Sequence, residues 1–378
     1  MGQNRVLEMR NTEERRGYFL FAVGPLPPPI QGAAVATEAI INYLRNHGAV
    51  QTANISPGTK PQILSKAIKS FRVALTILRL PAAALRHKER VLYMAADGGS
   101  GLLYNIAIAA VARLCGYRIF LHHHSFAYVD KSDPLMAILT RIMGVQSTHI
   151  VLGEAMAAGL RLRYPWMDHT TMIELSNAAF FSPPPLAAMR ERSEIQIGFL
   201  SNLIIEKGLD TAIALLREAL RQGLPVKLIL AGGATNAHAT EMVEEALAEF
   251  GASIEYLGHV SGQEKVDFYQ SIDVFVFPSR YFNEAQPLAV LEALCFGAPV
   301  LTIARSCIAN DIGDKAGLCV PRGSDFVANV LPLLRSWCQD KQALDQSRSQ
   351  AYQRAIELHN KGKKQLEGLV CAFSFPPT

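Results

Sequence analysis

Each half of the chain opens on the same local pattern: an apolar strand, a turn containing glycine, then a helix. That repetition limits the fold more than any other feature. The first copy is YFLFAVGPLPPPIQGAAVATEAIINYL, with a strand over 18–23, a proline-rich loop, Gly32, and a helix from about residue 33 to 45. The second is IQIGFLSNLIIEKGLDTAIALLREAL, with a strand over 195–200, a loop closing on Lys207 and Gly208, and a helix from about 209 to 221. The runs VLYMA (91–95), RIFLHHH (118–124), HIVLG (149–153), VKLILAG (226–232), SIEYLG (253–258) and DVFVFPS (273–279) alternate with helical patterns. Strands separated by helices pair in parallel, so the expectation is two α/β domains, each around a parallel sheet.

The length of 378 residues fits two such domains. The stretch AAFFSPPPLAAMRERSE, with three prolines and a charged run, marks a boundary near residues 178–193. This gives an N-terminal Rossmann-like domain over 1–180 and a C-terminal one over 190–355. A hinge between domains of this class creates a cleft, where ligands of open α/β sheets bind. Beyond about residue 325 the chain reads as helix up to FSFPPT, and the segment 356–378 is expected to pack back toward the N-terminal domain.

A hydrophobic content of 49% with 19% charged residues excludes a disordered chain. The six cysteines, at 115, 295, 307, 319, 338 and 371, form no CxxC pair, and no histidine stands at zinc-finger spacing. They read as reduced thiols of a cytoplasmic protein. The N-terminus has the wrong pattern for a signal peptide, and no uncharged apolar run reaches eighteen residues, so secretion by that route and membrane spanning are not expected. Residues 1–190 carry 20 Lys/Arg against 11 Asp/Glu, a net of +9, and residues 191–378 carry 17 against 22, a net of −5. The halves face different surroundings.

FPSRYFNEAQPLAVLEALCFGAPVL (277–301) keeps two carboxylates, Glu284 and Glu292, in an otherwise uncharged stretch beyond Arg280. Pro287 fits the start of a helix, which puts Glu292 about one and a half turns in and leaves Glu284 on the preceding loop. A ligand at that helix N-terminus would meet Ala285, Gln286, Pro287 and Leu288, and the amides there favour an anion such as phosphate. Two solvated glutamates are the plainer reading of the spacing alone.

Pro278, Ser279, Glu284, Glu292, Ala293, Gly297, Pro299 and Val300 together resemble the donor-site signature of retaining GT-B glycosyltransferases of family four, the glycosyl transferases group 1. FLSNLIIEKGLDTAI looks like that family's Gly-Arg-Leu-x3-Lys-Gly segment, AGG at 231–233 like its central strand and loop, and GPLPPPIQGAA like its N-terminal glycine loop. The resemblance implies a GT-B fold and a nucleotide-sugar donor. Glu292 would accept hydrogen bonds from ribose hydroxyls, and Glu284 would hold hydroxyls of the transferred sugar, helped by the amides after it. Lys207 would neutralise the departing diphosphate. The family usually has arginine five residues before this lysine; here stands Asn202, which makes no bidentate phosphate contact. Arg280 or Arg305 could substitute, or the diphosphate is held less tightly.

Adjacent strand residues point to opposite faces, so His122, His123 and His124 cannot all converge on one metal ion. The resemblance assigns a strand-end histidine to the sugar and phosphate, His124 first and His122 second, against the alternative of an ordinary strand end. Asn177 and Asp273 match positions of the family and read as turn or capping residues. No D-x-D triplet follows a strand, so no metal and no cofactor are expected, and the resemblance implies a front-face mechanism.

No acidic residue lies between Glu38 and Glu89. Within that span, 61–80 reads as a helix limited by Pro61 and Pro81. Leu64, Ala67, Ile68, Phe71, Ala74, Leu75 and Leu78 lie on one face, and Lys66, Lys69, Arg72 and Arg79 along its flank. Such a helix can lie on an anionic membrane, each exposed cation adding about 1 kcal/mol, or can pack its stripe on the N-terminal sheet. Nucleic acid is disfavoured because stacking aromatics are not interleaved. The leading expectation is a cytoplasmic, peripheral retaining transferase moving a sugar from a UDP- or GDP-sugar to a glycan or lipid-linked acceptor in surface polysaccharide biosynthesis. A nucleotide-sugar 2-epimerase and a non-catalytic sugar-nucleotide-binding protein are the alternatives.

Overall fold

The computed structural model describes residues 18–29, 31–58, 62–187 and 192–374. The chain forms two compact units, one of residues 1–175 and 363–378, the other of residues 176–362.

The first unit is built on β1 (Phe19–Gly24), β2 (Ala49–Asn54), β3 (Arg90–Ala95), β4 (Arg118–His122), β5 (Thr148–Val151) and β6 (Thr171–Glu174). Its helices are α1 (Gly32–Arg45), α2 (Gln62–Ala84), α3 (Leu102–Leu114), α4 (Ala127–Asp130), α5 (Pro134–Met143) and α6 (Glu154–Arg163). The strands pair in parallel in the order β2-β1-β3-β4-β5-β6. Every residue of β1 is buried, as a strand covered on both faces requires.

The second unit holds β7 (Ile195–Leu200), α7 (Leu209–Arg221), β8 (Val226–Ala231), α8 (Ala237–Phe250), β9 (Ile254–Tyr256), α9 (Gly262–Ser271) and β10 (Val274–Phe277). It continues with α10 (Leu288–Cys295), β11 (Val300–Ile303), α11 (Ile308–Ile312), β12 (Gly317–Val320) and α12 (Phe326–Gln339). The sheet order is β12-β11-β10-β7-β8-β9, again with parallel pairings. Alternate residues of β10 feed opposite faces. Val274 and Val276 join the core under α7 and α12, while Phe275 and Phe277 join the core that includes Leu291 and Leu294 of α10.

Four strands, β2, β6, β11 and β12, were not expected. The expected strands also run past the observed ends: β4 stops at His122 and β10 at Phe277. The last helix, α13 (Lys341–Ser374), is one element of 34 residues. Its final turns belong to the first unit, where Phe373 meets Tyr18 and Phe120 edge-on at 5.7 and 4.5 Å, and Arg118 bonds the Ala372 carbonyl at 3.2 Å.

The basic helix differs from its expectation. Pro61 lies outside the described residues, and Pro81 does not end α2, which runs on to Ala84 with Leu85 N–H bonding the Pro81 carbonyl at 3.1 Å. Pro81 removes one helical donor on an exposed side, where water can satisfy the freed carbonyl. Among the described side chains of this helix, Val73, Thr76, Leu80 and Ala83 are buried. The outer edge of the apolar stripe stays in solvent, with Leu64 49%, Phe71 70% and Leu78 72% exposed, and Leu85 extends it at 91%. Two of the flanking cations have partners within the protein. Lys69 pairs with Asp97 at 2.9 Å, and Arg72 holds the Ser56 carbonyl. Lys66 and Arg79 remain exposed. Among the described residues no helix is long and apolar enough to cross a membrane.

Candidate functional site

The chain leaves β7 in one direction to β8 and β9, then returns to β10 on the other side and continues to β11 and β12. The loops after β7 and β10 therefore diverge at a topological switch point, where an open α/β sheet has a crevice at the carboxyl ends of its strands. The β7 loop carries Asn202 and Lys207, and the β10 loop carries Ser279, Arg280 and Glu284. Gly208 lets them touch. It has φ +91°, and a Cβ there would lie 2.6 Å from the Pro278 carbonyl oxygen.

Across that contact Lys207 Nζ sits 2.5 Å from Glu284 Oε2, and Ser279 Oγ donates to the same oxygen at 3.1 Å. Lys207 also lies over the Tyr281 ring at 4.6 Å. Among the described residues nothing bonds Glu284 Oε1, so that oxygen can accept from a ligand hydroxyl. The Glu284 backbone is clamped: its N–H bonds the Tyr281 carbonyl at 3.0 Å, Ser306 Oγ donates to its carbonyl, and Cys307 N–H bonds the Ala285 carbonyl at 3.1 Å. Ser306 has φ +53°, a left-handed conformation that a residue other than glycine keeps only when its surroundings enforce it. Glu292, on α10, meets Lys265 Nζ at 2.5 Å through Oε1 and the Tyr269 hydroxyl at 2.9 Å through Oε2. Burial first, and then the Glu292 carboxylate, hold the Tyr269 phenol well above its ordinary pKa, so it stays a donor.

Residues 189–354 match the glycosyl transferases group 1 family. No curated protein matches the chain in sequence. Among solved structures, the chain is similar to Anabaena HepE in complex with UDP, at 15% identity and TM-score 0.67, covering 94% of this chain and all of that one. It is also similar to sucrose-phosphate synthase from Thermosynechococcus elongatus, at 15% identity and TM-score 0.71, covering 93% and 98%. A third is a glycosyltransferase from Rickettsia africae, at 13% identity and TM-score 0.69, covering 95% and 99%. The fold is that of GT-B glycosyltransferases, and Lys207, Glu284 and Glu292 all lie within the group 1 match.

Other expected residues of the group 1 match are placed differently. Asn202 is exposed. Arg280 is turned onto the start of α7, with Nη2 at 2.9 and 2.8 Å from the Asp210 carboxylate oxygens and Nη1 at 2.6 Å from Thr211 Oγ1. In this arrangement its guanidinium faces Asp210 and Thr211. Arg305 is buried and donates to the Phe282 carbonyl at 3.0 Å. A cavity of about 560 Å³ opens beside Arg280, Arg305 and Ser279, but Lys207 and Glu284 do not line it.

Ala285, Gln286 and Pro287 are buried, and Leu288 is half-buried at the start of α10. The Gln286 side chain is a structural tie, accepting from Asn177 N–H at 2.7 Å and donating to Ser176 Oγ and Asp311 Oδ1 at 2.9 and 2.8 Å. Pro287 has no N–H and cannot serve as an amide donor; it precedes α10, and its carbonyl accepts from Val290 at 3.2 Å. Asn177 backs this tie through the Gln286 carbonyl at 3.2 Å. Asp273 accepts from Gln196 N–H at 2.9 Å.

In the first unit, Gly32 is exposed as the first residue of α1. His122 Nδ1 is 2.8 Å from the Tyr93 hydroxyl, and its ring lies 4.0 Å from that of His124. His123 faces the other way, toward His149 Nδ1 at 3.0 Å and the Tyr128 hydroxyl at 3.1 Å. Burial lowers all four imidazoles, His124 and His149 to about 4. They are neutral at pH 7, so His124 can offer hydrogen bonds and not a positive charge. Sequence reasoning missed Ser279, Ser306, Lys265 and Tyr269 as supports of the two glutamates. Ser279 was visible as part of the motif, and the others carry no sequence signal.

Proposed function

We propose that the protein is a retaining glycosyltransferase that moves a hexosyl group from a UDP- or GDP-sugar to an acceptor hydroxyl on a lipid-linked oligosaccharide, in surface polysaccharide assembly. The Lys207–Glu284 pair at the switch point carries this reading. Glu284 would hold hydroxyls of the transferred sugar and Glu292 those of the ribose. Lys207 would meet the negative charge that builds on the diphosphate as the anomeric carbon–oxygen bond breaks. In the front-face route the departing phosphate oxygen takes the acceptor's proton as the new glycosidic bond forms on the same face. The bound UDP of Anabaena HepE supports a uridine nucleotide. With Lys207 neutralising the diphosphate, no divalent ion is assigned a role.

Incubation with UDP- and GDP-sugars and a lipid-linked acceptor, with and without EDTA, tests this. Glycosylated product and free nucleoside diphosphate are expected in both conditions. An epimerised donor, or no reaction with any donor, would contradict the proposal.

The exposed edge Leu64, Phe71, Leu78 and Leu85, with Lys66 and Arg79 beside it, supports a peripheral position on an anionic, cytoplasmic membrane face. The chain is expected to sediment with vesicles rich in anionic lipid at low salt. The double variant Phe71→Ser, Leu78→Ser should bind at least about ten-fold more weakly, since each buried large apolar side chain is worth roughly 1.5–3 kcal/mol. A wild-type chain that stays in the supernatant would exclude this membrane role.

A further inference from the structure

The first unit has its own switch point. β1 lies between β2 and β3, so the chain leaves β1 on one side and returns on the other, and the loops after β1 and β3 diverge at the carboxyl edge of the sheet. The β3 loop reads Ala-Asp-Gly-Gly-Ser-Gly over 96–101. It is arranged around one carboxylate. Asp97 N–H bonds Asn105 Oδ1 at 2.9 Å, and the buried Asn105 side chain is itself fixed to the Ala95 carbonyl at 3.1 Å. A Cβ at Gly101 would lie 2.7 Å from Asp97 Cβ and 3.3 Å from its Oδ2, so that glycine makes room for the aspartate. Lys69 reaches Asp97 Oδ2 from α2 at 2.9 Å, and the side chains keep 19% and 15% exposure respectively. Lys69 Nζ also lies 5.4 Å from the Tyr104 ring centre, and the Tyr104 hydroxyl is 2.9 Å from Ser70 Oγ.

We propose that Asp97, Lys69 and Tyr104 form the subsite that binds hydroxyls of the saccharide acceptor. The proposal rests on the glycosyltransferase reading and deepens it on the acceptor side. A sugar hydroxyl is both a donor and an acceptor. Asp97 accepts a hydrogen bond from its O–H, Lys69 donates to its oxygen, and the Tyr104 ring offers an apolar face to sugar C–H groups. A phosphate would meet the repulsion of Asp97, and a cation that of Lys69, so the pair selects a neutral polyhydroxyl ligand. Burial raises the Asp97 carboxyl above its ordinary pKa even with Lys69 beside it, so further hydroxyl donors stabilise its charged form. Lys69 and Phe71 are two residues apart on α2, which puts them on different sides of the helix. One element thus carries the hydroxyl-binding cation and the exposed apolar edge, as a sugar attached to a lipid requires.

The test uses the full chain with Asp97→Asn and Lys69→Met variants whose thermal unfolding matches the wild type. Saturation-transfer NMR with a panel of methyl hexosides, without donor, reads the subsite alone. At least one hexoside is expected to bind the wild type, and ten-fold or more weakly to either variant. UDP or GDP affinity should stay within two-fold, while the acceptor KM rises at least ten-fold. Equal hexoside binding by wild type and Asp97→Asn, or no hexoside binding by the wild type, overturns the subsite. Failure of the wild type to bind any nucleotide would instead overturn the glycosyltransferase reading, and the hexoside measurement would still decide the subsite.

Discussion

The variant Lys207→Met is expected to lower kcat by about 10²–10³, the usual cost of losing one preorganised group aimed at developing charge. Asn202 is neutral, and Arg280 is engaged with Asp210. The loss should fall on kcat more than on KM, because charge on the diphosphate grows as the glycosidic bond breaks. Stability should drop as well, since Glu284 is 7% exposed and its carboxylate would be left with only Ser279 bonded to it. Leaving a buried charge unpaired costs roughly 3–5 kcal/mol, and the residual exposure of the pair places this case at or below the lower end. Lys207→Arg should recover stability before it recovers rate, because the guanidinium keeps the charge and changes its geometry. Steady-state rates and thermal unfolding of both variants check this. A Lys207→Met enzyme with wild-type kcat would remove the lysine from the site.

Acidification is expected to unfold the first unit early. His124 and His149 are held at about 4 by burial, against an ordinary value near 6.5, and His122 and His123 are also lowered. A folded state that resists protonation loses nothing above pH 6.5. As the pH falls from about 6.5 toward 4, the unfolded chain gains protons that the folded chain does not take up, and stability declines across that window. For His124 and His149 together the loss is on the order of 5 kcal/mol. The groups facing this cluster are the Tyr93 and Tyr128 hydroxyls, which do not titrate in that range. Thermal unfolding between pH 7.5 and 4.5 should show the fall, and His149→Gln should flatten part of it. A melting temperature that is constant across the window would contradict the buried, neutral state of these histidines.

The parallel α/β character of both units was legible because β1, β3, β7, β8 and β10 are apolar runs separated by helical patterns. The strands that escaped notice have physical reasons. β2, β6 and β12 are sheet edges, with polar or small residues such as Gln51, Thr52 and Gly317, and β11 is four residues inside a longer apolar run. On α2 the apolar residues were visible, but their destination was not. Val73 and Leu80 pack inward, whereas Phe71 and Leu78 remain in water, and only the tertiary fold decides between those faces. The same holds at the site. The spacing from Glu284 to Glu292 can be read along the chain, but Lys265 meets Glu292 across 27 residues and Ser306 meets Glu284 across 22. Arg280 is a cation of the same stretch whose partner, Asp210, lies 70 residues away in the chain.

The most direct test of the donor site is the rate of nucleoside diphosphate release from a panel of UDP- and GDP-sugars with acceptor present, for wild type beside Glu284→Gln. Release at least about 100-fold slower in Glu284→Gln, with UDP or GDP binding unchanged, is predicted for a carboxylate that orients the transferred sugar. Equal release by the two proteins would contradict it.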